Sequence, residues 1–66
     1  MEIVANGKPR EVEPGATVED LIRSVGLDPR YVIVEHNGEP LERKRYGESK
    51  LAEGDRLELV RAVAGG

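Results

Sequence analysis

The chain has 66 residues, no cysteine, one histidine and a formal charge of −3 from 13 acidic and 10 basic side chains. A chain this short makes one domain that buries only about 60% of its unfolded surface, and without thiols neither a disulfide nor a thiolate metal site is open to it, so packing of its 38% apolar residues must hold it together. The acidic balance argues against a nucleic-acid partner, which needs a basic surface to displace counterions. No apolar run nears the roughly 20 residues that cross a bilayer, and Met1-Glu2-Ile3 lacks the basic start of a secretory leader, so the expected location is the cytoplasm, with no membrane partner.

Alternation of Met1, Ile3 and Ala5 predicts a first strand over 1–5, and Asn6-Gly7 is the pair best suited to the positive φ angles of a type I′ hairpin turn. A second, antiparallel strand is expected over 9–13. Pro9 cannot donate a ladder hydrogen bond, which places that strand at a sheet edge with Val12 inward and Glu11 and Glu13 in water. Pro14-Gly15 ends it. Thr17 is suited to be a helix N-cap, with Asp20 three residues on in a variant of the capping box and Glu19 at the positive end of the helix dipole. Val18, Leu21, Ile22 and Val25 recur at i, i+3, i+4 and i+7, which predicts a helix over 18–25 with one apolar face. Gly26 suits the left-handed closing position, Leu27 can fold back on Ile22, and Pro29 prevents resumption.

Tyr31-Val32-Ile33-Val34 is a continuous apolar run rich in β-branched residues, read here as a strand buried on both faces or nearly so, and ended by a second Asn-Gly pair, Asn37-Gly38. Glu39-Pro40-Leu41 extends to a short edge strand, and 42–50 reads as a polar loop with one helical turn, anchored by Tyr46. Glu53-Gly54-Asp55 makes a turn before a last strand over 56–63, with Leu57 and Leu59 on one face and Glu58, Val60 and Ala62 on the other. A helix with a single apolar face must cover one side of a sheet. The expected fold class is therefore α+β, a mixed sheet of four to five strands with one helix packed across it and the first and last strands parallel neighbours, the β-grasp arrangement. Residues 1–63 form that domain, and 64–66 form a flexible tail.

An enzyme of its own is not expected. The sequence has no phosphate-cradling glycine loop with its lysine and no cysteine nucleophile, and Ser24 and Ser49 offer His36 no plausible partner. His36 reads as a surface or hydrogen-bonded turn residue rather than a catalytic one, and the carboxylates are scattered as on a solvated surface. Arg43-Lys44-Arg45 is the one basic cluster, either a solvated loop or a means of steering an acidic patch on a protein partner. What remains is Val63-Ala64-Gly65-Gly66. Two glycines after an apolar strand present a terminal carboxylate with no side chain beside it and little restriction on φ and ψ, a shape that can enter another protein's active site. A carboxylate is a poor electrophile, so chemistry there requires activation as an acyl-phosphate or acyl-adenylate. The plainer alternative is a loose chain end. Val60 and Ala62, outward on the last strand beside the tail, form a docking surface in the first reading and need no explanation in the second.

The hairpin Asn6-Gly7-Lys8, the helix start Gly15-Ala16-Thr17-Val18, the run Val32-Ile33-Val34-Glu35 before Asn37, then Arg43, Tyr46, Gly54-Asp55 and above all Val63-Ala64-Gly65-Gly66 resemble the ThiS family of thiamine-pathway sulfur carriers over the whole chain. Small subunits of molybdopterin synthase are relatives that tend to be longer and to carry prolines where this chain has Arg61-Ala62. The resemblance implies a carrier that binds no cofactor itself. A ThiF-like adenylating enzyme, similar to ubiquitin-activating enzymes, would use ATP and magnesium to convert the Gly66 carboxylate to an acyl-adenylate. Persulfide sulfur, supplied through a cysteine desulfurase, would displace AMP and leave a thiocarboxylate for a ThiG-like thiazole synthase. Val63, Ala64 and Gly65 would thread the partner's channel, and Val60, Ala62 and Arg43 would dock against it. A carrier for another product (thiolated transfer RNA, molybdopterin or cysteine), a ubiquitin-like modifier and an interaction module remain open alternatives.

Overall fold

In the computed structural model, which describes residues 1–62, both Asn-Gly pairs close two-residue hairpins. φ is +51° and +80° at Asn6 and Gly7, and +52° and +87° at Asn37 and Gly38, the left-handed values a type I′ turn requires. The first turn joins β1 (Glu2–Ala5) to β2 (Lys8–Glu11) with Ala5 opposite Lys8. The second joins β3 (Val32–His36) to β4 (Glu39–Leu41) with His36 opposite Glu39. β5 (Arg56–Arg61) lies between the hairpins, parallel to β1 and antiparallel to β3, giving the sheet order β2-β1-β5-β3-β4. Pro9 therefore sits on an edge strand, as its missing donor demands. β2 starts and ends earlier than 9–13, and Val12 beyond it donates its backbone N–H to the Met1 carbonyl at 2.8 Å and packs against the core.

The helix α1 (Val18–Ser24) begins at a complete capping box. The Thr17 hydroxyl accepts from the Asp20 N–H, and the Asp20 carboxylate accepts from the Thr17 N–H. It ends in a Schellman closure, with Gly26 at φ +82°, its N–H on the Arg23 carbonyl and the Leu27 N–H on that of Ile22. Val18, Leu21 and Ile22 are fully buried against Ile3, Ala5, Val32, Val34, Leu57 and Leu59 from the three inner strands. The loop after β4 contains the expected helical turn, a 3-10 segment Arg43–Arg45, and then buries Tyr46, whose hydroxyl donates to the Val32 carbonyl at 2.7 Å. Backbone bonds from Val18 to Ser49 and from Leu51 to Ala16 bind this loop to the start of the helix.

β3 is not buried on both faces. Val32 and Val34 are fully enclosed, but Ile33 is 52% exposed, and Tyr31, 45% exposed, belongs to a 3-10 turn (Pro29–Tyr31) rather than to the strand. The reason is architectural: α1 covers one face of the sheet, and among the described residues no second layer covers the other. Among the same residues no helix is long and apolar enough to cross a membrane.

Candidate functional site

β5 organises the end of the molecule where the tail begins. It is the central strand, supported on both edges, and its last bond beyond the ladder runs from the Ala62 N–H to the Tyr31 carbonyl at 2.7 Å. Tyr31 is itself held in place. The Arg30 guanidinium stands 5.3 Å from the centre of its ring, within cation–π range, and donates to both oxygens of Asp28. These bonds, with the Arg30 N–H on the same carboxylate, hold the Asp28 pKa down at about 2.

The structure places Val60 outward on β5, 55% exposed and directly opposite Ile33 of β3. Ala62, expected in the open, is half-buried instead, because its backbone is still bonded to Tyr31. Arg43 is exposed at the start of the 3-10 turn after β4, so β3 lies between it and Val60 and the two belong to different parts of the face. Val63, Ala64, Gly65 and Gly66, the proposed reactive tail, lie outside the described residues.

At the opposite end of β5 a polar cluster does structural work. Asp55 accepts from His36 Nε2 at 2.8 Å, from the Ala52 N–H at 2.8 Å and from Asn37 Nδ2 at 3.1 Å. Burial pushes the Asp55 carboxyl up, but these three hydrogen bonds outweigh it and the pKa is lowered. His36 is thereby tied down, as expected of a turn histidine. The partner that sequence reasoning missed is Asp55, whose role as a turn residue hid its role as an acceptor.

Also missed was what the turn asparagines do beyond tolerating positive φ. Asn6 Oδ1 accepts from the Leu59 N–H at 2.7 Å while its Nδ2 donates to the Leu59 carbonyl at 3.2 Å, so the side chain acts as one more residue of β1. Asn37 Oδ1 accepts from the Arg56 N–H at 2.8 Å. Both hairpins are thus fastened to β5 by amides. The available signal was that each turn begins with asparagine, where glycine or aspartate would also have served the backbone.

Known proteins match this chain in sequence and in shape. The ThiS family model matches residues 3–66. A thiazole synthase of Magnetococcus marinus is 39% identical over 66 residues, and one of Paramagnetospirillum magneticum is 38% identical over the same length. Each alignment covers 100% of this chain and 20% of the synthase, so the chain spans about a fifth of the length of these relatives. The sulfur carrier protein ThiS of Bacillus subtilis is 42% identical over 50 residues, 76% of either chain. The crystal structure of the thiamine biosynthesis protein ThiS from Geobacter metallireducens superposes with a TM-score of 0.82 at 33% identity, covering 100% of both chains. SAMP1 from Haloferax volcanii, at a TM-score of 0.60 and 24% identity, shares the fold alone. A five-stranded mixed sheet with one helix, a β-grasp fold, thus meets a match over nearly the whole sequence, and the chain belongs to the ThiS family.

Proposed function

We propose that this chain carries sulfur as a thiocarboxylate on Gly66. An adenylating partner of the ThiF type joins the Gly66 carboxylate to AMP and releases pyrophosphate, with ATP and magnesium held by that partner and not by the carrier. Persulfide sulfur made by a cysteine desulfurase attacks the activated carbonyl carbon, the bond to AMP breaks, and reduction of the remaining S–S bond by a thiol frees the thiocarboxylate. The recipient is a thiazole synthase of the ThiG type, a reading supported by the two thiazole synthases that align with the chain over its full length. The cytoplasm, where ATP and reduced thiols are available, is the compartment this chemistry needs.

The observation that carries the reading is the placement of the tail's root. Ala62 is fixed to Tyr31 at the end of the sheet's central strand, and Gly66 is the fourth residue after it. Fully extended, four residues span at most about 14 Å, enough to carry a side-chain-free terminus into a partner's site while the domain stays outside. Val63, Ala64 and Gly65 fill the channel, and Val60, with Ala62 and Arg43 on flanking parts of the surface, meets the partner's rim. Incubation with the adenylating enzyme, ATP and a sulfur donor, followed by intact-mass measurement, tests this. The expected result is a gain equal to exchanging one oxygen for sulfur, confined to the C-terminal peptide. No gain in the presence of an enzyme that loads its own carrier would overturn the reading.

A further inference from the structure

The two edge strands begin with one pattern, Asn-Gly-x-Pro: Asn6-Gly7-Lys8-Pro9 before β2 and Asn37-Gly38-Glu39-Pro40 before β4. Successive N–H groups of a strand point to opposite sides, so the bonds already made fix the direction of each proline nitrogen. Val4 and Asn6 donate toward β5, to the Asp55 and Leu57 carbonyls. Ile3 and Ala5 therefore face β2, and their partners Arg10 and Lys8 face back at them; the bond from Val12 to the Met1 carbonyl continues the series. Pro9, opposite Val4, turns its nitrogen out of the sheet. On the other side Asn37 donates to Arg56 and Tyr31 accepts from Ala62, both toward β5. Val34 and His36 thus face β4, where they pair with Leu41 and Glu39. Pro40, opposite Glu35, also points outward. Each free edge therefore carries a ring methylene where an incoming strand needs an N–H.

Strand direction makes these two edges fit one another. β4 runs parallel to β5 and β2 antiparallel to it, so a second copy in the same orientation would offer its β2 to β4 of the first as an antiparallel neighbour. Ile3, Ala5 and Val34 lie under α1, which puts Pro9 and Pro40, at the alternate positions, on the open face of their strands. Setting Pro9 opposite Pro40 across the junction keeps both helices on one side of a continuous sheet. The same register brings Arg10 of one copy opposite Glu39 of the next, an attractive cross-strand pair. Among the described residues neither side chain enters an ion pair within the chain. Like edges fit less well, since two β2 strands centred on Pro9 would oppose Lys8 and Arg10.

We propose that Pro9 and Pro40 close the β2 and β4 edges to head-to-tail addition of further copies of this chain. The residues that would exchange both N–H···O bonds at the centre of the junction are these two, and neither has a hydrogen to give. A junction of this kind leaves β2 free at one end and β4 at the other, so once opened it would propagate without closing. Charge and strand direction favour the addition, and the two prolines oppose it. The inference goes beyond the carrier reading and does not depend on it.

The test is the mass in solution, by sedimentation equilibrium up to about 1 mM chain at about 50 and about 300 mM salt, of the wild type and of Pro9→Thr/Pro40→Thr. Neither nitrogen bonds within the sheet, so the double variant should keep the wild-type circular dichroism spectrum. The wild type should stay at 7.2 kDa. The double variant should rise with concentration to about twice that mass or more at low salt, and less at high salt. Adding Arg10→Glu should return it to the monomer, and adding Glu39→Arg as well should restore assembly. Each single variant regains one of the two donors and should fall between; the singles decide the matter if the double variant does not fold. A wild type that itself assembles, proline variants that stay at the monomer mass, or assembly indifferent to Arg10→Glu would overturn the proposal. None of these results touches sulfur loading, so the carrier reading is judged separately by the intact-mass experiment.

Discussion

Replacing Tyr46 with phenylalanine isolates a single hydrogen bond in the core. The Tyr31 carbonyl points toward β5, where it accepts from Ala62, so the next carbonyl along the strand, that of Val32, points the other way, toward β4. β4 pairs with β3 only from Val34 to His36. The Tyr46 hydroxyl, 2.7 Å away, takes the place of the missing strand. Phenylalanine keeps the ring and therefore the packing of a side chain only 3% exposed. What is lost is the net bond, about 0.5–1.5 kcal/mol, together with the cost of leaving a buried carbonyl unpaired, about 1–3 kcal/mol. The two overlap, and about 2 kcal/mol is expected. In a domain of this size each 1 kcal/mol moves the melting temperature by about 4–8 °C, so Tyr46→Phe should melt about 10 °C lower. Urea unfolding followed by far-ultraviolet circular dichroism should show a lower midpoint at unchanged slope. ATP–pyrophosphate exchange by the adenylating enzyme, measured while the variant is fully folded, should be unaffected. A loss below about 0.5 kcal/mol would mean that water reaches the Val32 carbonyl and the reasoning is wrong. Impaired exchange by a folded variant would show that the hydroxyl also positions Arg43 and the rest of its loop for the partner.

Three further outcomes follow from other contacts. Asn6→Gly keeps the positive φ of the turn but removes both bonds to Leu59, and should cost about 1–3 kcal/mol in urea unfolding; an unchanged midpoint would show that the amide is dispensable. Asp55→Asn should be less stable than the wild type at neutral pH. Because the folded pKa of Asp55 lies below its ordinary 3.8, its contribution is fully present above that value and is lost as the pH falls through the lower folded one. The gap between the two proteins should therefore narrow below about pH 4, and a gap independent of pH would contradict the assignment. Gly65→Val should block sulfur loading, read by intact mass, while leaving the melting curve unchanged; loading at the wild-type rate would show that the channel accepts a side chain there.

The parts of this fold that were legible in the sequence are those set by local rules. Two Asn-Gly pairs, the Thr17 to Asp20 capping box and the Gly26 closure each depend on residues within a few positions of one another, and each forms as expected. β3 departs from the expectation because an apolar run looks the same whether both faces are covered or one is left open. Ile33 lies in the run for its place on the open face, not for the core. The contacts from Asn6 to Leu59 and from Tyr46 to Val32 join residues 53 and 14 positions apart, and only the closed sheet reveals them. At the candidate site, the outward position of Val60 followed from strand alternation, whereas the partial burial of Ala62 depends on a bond to Tyr31 that alternation does not encode.

The position of β5 also has a mechanical consequence. A partner that grips the tail pulls along the axis of a strand flanked on both sides, by β1 in parallel and by β3 in antiparallel. Inter-strand hydrogen bonds run across that axis, so the load falls on many of them in shear rather than on one at a time, as it would if an edge strand were peeled away. In the proposed carrier role, the domain would meet each such pull with a set of bonds loaded together.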